Sequence, residues 1–124
     1  MIASAEEALA LLRKWFDEKT LLKVLLVSSN ASFTVRMMGF IGALTSQCIM
    51  ISDHSDRTKA PRHYIEINPT ACRYYDYLEA KDIEGESENV KQYISKHHGV
   101  AGLSIVLSDH TRLTLFEQSD TSSQ

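Results

Sequence analysis

The run 33–51, FTVRMMGFIGALTSQCIMI, constrains this chain more than any other stretch. Phe33, Val35 and Met37 alternate with Thr34, Arg36 and Met38, the period of a half-buried strand. Gly39 and Gly42 then interrupt an apolar run. Glycine inside a strand pattern marks a bulge, a sharp bend or a close backbone approach. The spacing therefore predicts a long strand bent near these glycines, a short turn, and a second strand over 47–52. A strand bent in this way can cross from one side of a small barrel to the other. If the strand is single-layered, one of Met37 and Met38 must face outward, and adaptable methionine surfaces suit interfaces.

The flanking segments fit an antiparallel, mainly β arrangement. A helix is expected over 4–18, with Ser4 and Glu7 forming a capping box. Ala5, Ala8, Leu9, Leu12, Trp15 and Phe16 fall on one face of it, and Glu6, Arg13, Lys14 and Asp17 on the other. An isolated helix of this length is marginal in water, so it needs a surface to cover, here one open end of a barrel. The apolar run 21–27, LLKVLLV, reads as a strand buried on both faces. DHSDRTKAP (53–61) is a polar loop, and 62–67 is a further alternating strand. Asn68-Pro69 stops it and opens a turn of helix, with extended chain to follow through TACRYYDYLEA. An acidic linker (81–88), a second helix (88–96) closed by Gly99, and a hairpin of strands 103–107 and 112–116 complete the domain. The tail 118–124 has no apolar residue and is expected to be disordered.

The totals bound the class of protein. A chain of 124 residues that is 44% hydrophobic supports one domain, here 1–117, with one core and no staples. The net charge of −3 disfavours a general nucleic-acid binder. Cys48 and Cys72 form no metal motif and are expected to stay reduced in the cytoplasm. MIASAEEALALL lacks the basic start of a signal peptide, and no apolar run approaches the ~20 residues that span a bilayer.

Several constellations were weighed for chemistry. His97-His98 would point about 100° apart on a helix and suit its C-terminal end better than a metal. Asp53-His54-Ser55-Asp56 holds the residue types of a hydrolase triad, but such near neighbours seldom face one another, and no G-x-S-x-G elbow exists. The four basic residues Arg57, Lys59, Arg62 and His63 form a loop-to-strand cluster that suits a phosphate or carboxylate. Tyr64, Tyr74, Tyr75 and Tyr77 supply stacking faces nearby. The plainer reading is a solvated surface facing the acids of 76–88. An enzyme would have to bring together titratable groups distant in sequence, in a pocket that shifts their pKa values.

Helix, apolar strand, turn and a bent strand with the pattern Gly39-Phe40-Ile41-Gly42-Ala43-Leu44 resemble the layout of the Sm and Sm-like small barrels over residues 5–75. The resemblance implies a strongly bent barrel. RNA binding does not carry over, because Thr45-Ser46-Gln47 stands where that family has Asp followed by Asn. Its first hairpin also has Ser29-Asn30-Ala31 in place of the usual glycine, and 81–117 has no counterpart there.

The sequence thus predicts a mainly β (α+β) domain. It is a small, strongly bent antiparallel barrel of about six strands, with an N-terminal helix and a second short helix before the C-terminal hairpin. No catalytic residue, metal or cofactor is assigned. The expected role is that of a non-enzymatic module for self-association or protein binding, without a membrane role. The alternative is a phosphate-bearing ligand or RNA held by Arg57, Lys59, Arg62 and His63.

Overall fold

A computed structural model describes residues 2–77 and 102–117. Its strands are β1 (Ile2–Ala3), β2 (Leu22–Val27), β3 (Thr34–Leu44), β4 (Ile49–Ser52), β5 (Tyr64–Ile67), β6 (Cys72–Tyr77), β7 (Gly102–Leu107) and β8 (Arg112–Glu117), with helix α1 over Ala5–Glu18. The Ser4 hydroxyl accepts from Glu7 N while the Glu7 carboxylate accepts from Ser4 N, so the capping box forms as expected. At the other end Lys19 adopts a left-handed conformation (φ 51°), and its N–H donates to the Trp15 and Phe16 carbonyls.

All eight strands form one antiparallel sheet in the order β1-β6-β7-β8-β2-β3-β4-β5. This corrects two expectations. The sheet is not closed: among the described residues its ends, β1 and β5, do not pair. The strand number exceeds the predicted six because β1 adds to the edge of β6 and because 72–77 is fully extended. The Asn68-capped 3-10 turn over Pro69–Ala71 precedes that strand, as Asn68-Pro69 predicted. The hairpin β7–β8 inserts between β6 and β2, which separates this order from the Sm layout. The expected acidic linker, second helix and tail lie outside the described residues. No helix among the described residues is long and apolar enough to cross a membrane.

The bent strand accounts for the shape. Residues 34–39 of β3 pair with β2, and residues 40–44 pair with β4. The register shifts between Ile41 and Ala43, so Gly42 is the extra residue of a bulge. Gly39 serves a different need. A Cβ there would lie 2.7 Å from the Ser52 carbonyl oxygen and 3.0 Å from Ile51 Cγ2, so β4 can approach only a bare backbone.

One apolar cluster then forms on one face of the curved sheet, with α1 laid over it against β3 and β6. Every strand contributes: Ala3, Leu22, Val24, Ile41, Ile49, Ile51, Ile67, Tyr75, Leu103, Ile105, Leu113 and Leu115 meet Ala8, Leu12 and Trp15 of the helix. The Trp15 indole N–H donates to the Glu117 carboxylate at 2.9 Å, which ties the helix to the last strand. The apolar run 21–27 is less symmetric than expected. Leu22 and Val24 are buried on the core side, Leu25 is half-buried, and Leu21 is exposed. On the face away from the core, β7 and β8 bury Ser104 and Thr114, whose hydroxyls share a hydrogen bond at 3.0 Å.

The two glycines should respond differently to a methyl group. Gly39→Ala meets backbone oxygen and should cost about 1–3 kcal/mol. Gly42→Ala meets the flexible end of Met50 at 2.9 Å and should cost less than about 1 kcal/mol. Urea unfolding of both variants checks the order; equal losses would remove the close approach as the reason for Gly39.

Candidate interaction surface

The strand edges of this sheet are its most distinctive surface. Ser28 N donates to the Phe33 carbonyl, which fixes the phase of the β2–β3 ladder. In an antiparallel pair, residues alternate in the side to which their backbone groups point. Thr34, Arg36 and Met38 therefore turn their backbone N–H and C=O away from β2. β4 begins to pair only at Phe40, so among the described residues no strand meets the outer side of 34–38. Beside this open edge, Phe33, Val35 and Met38 are 58%, 37% and 40% exposed. Met37 packs against the core and Met38 faces out, the division that a single-layered strand requires.

Among the described residues β5, at one end of the sheet, is a further open edge. Asp53 N donates to the His63 carbonyl, which sets the same alternation there. Ile65 and Ile67 point their backbone groups at β4 and their side chains toward the core. Tyr64 and Glu66 point their backbone groups outward and their side chains into solvent. Glu66 accepts from the Cys48 thiol at 3.3 Å. Burial, and then the Glu66 carboxylate, push that thiol above its ordinary pKa, so it stays protonated.

The basic residues singled out from the sequence have separate fates. The Arg57 guanidinium lies over the Phe16 ring, 3.7 Å from its centroid, and donates to the Phe16 carbonyl. It thereby holds loop 53–63 against the C-terminal end of α1, where a cation is favoured. Lys59, Arg62 and His63 are exposed, the last two leading into β5. Asp53 to Asp56 form no triad. His54 contributes its carbonyl to the Ser52 hydroxyl, and Asp56 accepts from both the N–H and the hydroxyl of Thr58, an Asx turn. Those Thr58 bonds hold the Asp56 carboxyl below its ordinary pKa.

A cavity of about 420 Å³ opens where β1 ends and α1 begins, lined by Ala3, Leu9, Pro69, Cys72, Tyr74 and Tyr75 among others. Two of its titratable groups, Cys72 and Tyr75, are shifted in the direction opposite to activation. Burial pushes the Cys72 thiol up, and burial followed by the Cys72 neighbour pushes the Tyr75 phenol up to about 12. Both are neutral near pH 7, so Cys72 presents no thiolate there and Tyr75 no phenolate. None of the four basic residues lines it. Among the described residues, no group of three or more His, Cys, Asp or Glu is placed to hold a metal ion.

The sequence reading missed the open edge of β3, because the pattern of a strand does not say where its second partner stops. It also divided the residues around β5 by charge. Arg62-His63-Tyr64-Ile65-Glu66 places opposite charges two residues either side of a tyrosine, and that symmetry was visible in the sequence.

The buried phenol gives a sign-defined pH effect. Folding favours neutral Tyr75, so its stabilising contribution is complete below its ordinary value of 10 and is lost as pH rises toward about 12. Phenolate absorbance should show a late-titrating component that Tyr75→Phe removes; its persistence in that variant would reject the assignment. No family model matches the chain, and no curated protein or solved structure matches it.

Proposed function

We propose that this chain is a non-enzymatic binding module that acts by self-association or by capturing a protein partner along a strand edge that no described strand covers. The observation that supports this most directly is the outer side of β3. There an extended backbone edge lies beside Phe33, Val35 and Met38, all exposed on a strand with β2 at its back. An added strand would pair with the outward backbone groups of Thr34 and Met38 and cover these side chains, the recognition mode of β-augmentation. Aromatic residues and methionine on such an edge are the types enriched at interfaces. The cavity beside β6 adds apolar surface, and its neutral thiol and phenol supply no nucleophile. Binding of a phosphate-bearing ligand at the basic loop is the weaker reading, since Arg57 is already engaged by Phe16.

Val35→Lys places a charge on the exposed edge without touching the core. Its stability should stay within about 0.5 kcal/mol of the wild type. Sedimentation equilibrium from micromolar to millimolar protein should show weaker association for the variant. Where the wild type is monomeric throughout, a panel of extended peptides should bind it and fail to bind the variant. A monomeric wild type that binds no peptide would sink the reading.

A further inference from the structure

We propose that the β5 edge is a two-fold docking site for a second copy of this chain, with Tyr64 on the symmetry axis. This rests on the strand-edge self-association proposed above and adds a second edge for it, β5, whose dimer the Val35→Lys change on β3 leaves untouched. Two antiparallel strands related by a two-fold place residue i opposite residue j, and j opposite i. With Tyr64 on the axis, Arg62 of each copy faces Glu66 of the other, and Tyr64 faces Tyr64. All three side chains are exposed: Tyr64, 55% exposed, and Glu66 on the solvent face of β5, and Arg62 in the bend two residues before Tyr64.

The backbone phase agrees with this register. Because Ile65 and Ile67 use their backbone groups toward β4, the outward groups belong to Tyr64 and Glu66; the bond from Asp53 N to the His63 carbonyl carries the ladder one residue past β5, and an added strand would draw Arg62 into the next outward position. Those are the residues that must exchange hydrogen bonds when Tyr64 sits on the axis. Other registers lose the match. An axis at Glu66 sets two carboxylates face to face, and an axis at Ile65 sets Arg62 against Asn68 and Tyr64 against Glu66. Like charges directly opposite are destabilising in an antiparallel pair, and unlike charges are favourable. Asn68-Pro69 then ends the available edge, since proline offers no N–H and the Asn68 side chain accepts from Thr70 N to cap the 3-10 turn. The occupant is therefore a short strand of complementary charge order, and this chain carries that strand itself.

An edge this short makes a weak dimer, to be sought at high micromolar to millimolar protein and low salt. The test uses Arg62→Glu, Glu66→Arg, and an equimolar mixture of the two. Each single variant opposes two pairs of like charges in its own dimer, so its dissociation constant should rise about ten-fold. In the mixture every pair is again opposite in sign, and sedimentation should show a heterodimer at least as tight as the wild-type dimer. Tyr64→Pro removes an outward N–H that β4 does not use, so it should abolish dimerisation while circular dichroism shows the fold retained. A wild-type dimer indifferent to the charge variants and to Tyr64→Pro would overturn the β5 site while leaving self-association through another edge. A mixture no tighter than the single variants would overturn the register. A wild type that is monomeric at millimolar concentration would overturn the site and the self-association form of the function together, leaving partner capture at β3.

Discussion

The close approach of Ser52 to Gly39 is the contact on which the rest of the sheet depends. β3 must leave β2 and take up β4 within two residues, between Gly39 and Phe40. A side chain at Gly39 would hold the Ser52 carbonyl off and keep β4 from starting there. The bulge at Gly42 then turns the remainder of the strand, so Ile41 reaches the core that Leu22 and Val24 enter from β2. With that bend in place, strands from both halves of the sheet present their inner faces to one helix. Ala8, Leu12 and Trp15 can then close a single cluster. The bend also creates the free edge. Because β4 pairs only with residues 40–44, the first half of β3 has β2 on one side and no described strand on the other. The geometry that builds the core thus leaves the outer side of residues 34–38 without a described strand as a direct consequence.

What could be read from the sequence follows from how local each signal is. Ser4 and Glu7 are three residues apart and cap the helix without help from the fold. The hairpin β7–β8 depends on Ser108-Asp109-His110-Thr111. There Asp109 accepts from Thr111 N, and His110 takes the left-handed conformation (φ 71°) that closes the turn. Gly39 and Gly42 declared a bend and a bulge for the same reason. Strand order was not legible. Ile2 and Ala3 are too few to show a period, yet they extend the sheet beyond β6. The insertion of β7–β8 next to β2 is a long-range choice, as is the bond from Trp15 to Glu117, 102 residues away. Pattern within a segment carries no information about which distant segment will lie beside it.

The basic cluster shows the same limit at the level of a site. Arg57, Lys59, Arg62 and His63 are close in sequence, which suggests a shared ligand. The fold gives Arg57 a partner that spacing could not reveal, the ring and carbonyl of Phe16 at the end of α1. A guanidinium stacked on an aromatic face and bonded to a helix-end carbonyl is anchored. Arg62 and His63 are left at the mouth of β5, where their significance comes from the strand they enter.

Open edges are normally a hazard, because any extended chain can add to them, and charge on the edge is the usual deterrent. The two edges here differ in that respect. On β3 three of the exposed side chains beside the edge, Phe33, Val35 and Met38, are apolar, with Thr34 and Arg36 exposed among them, and those three favour the same event as the extended backbone, addition of a strand. At β5 exposed Arg62, just before the strand, and exposed Glu66, within it, place one positive and one negative charge on either side of Tyr64. A strand with no charges gains nothing from them and must desolvate both, while a strand carrying charge in the wrong order meets repulsion at two positions. The same two residues that exclude most partners therefore admit the one whose order is reversed by a two-fold axis. Deterrence and selectivity at this edge arise from a single arrangement of charge, with affinity set by how little surface so short a strand can bury.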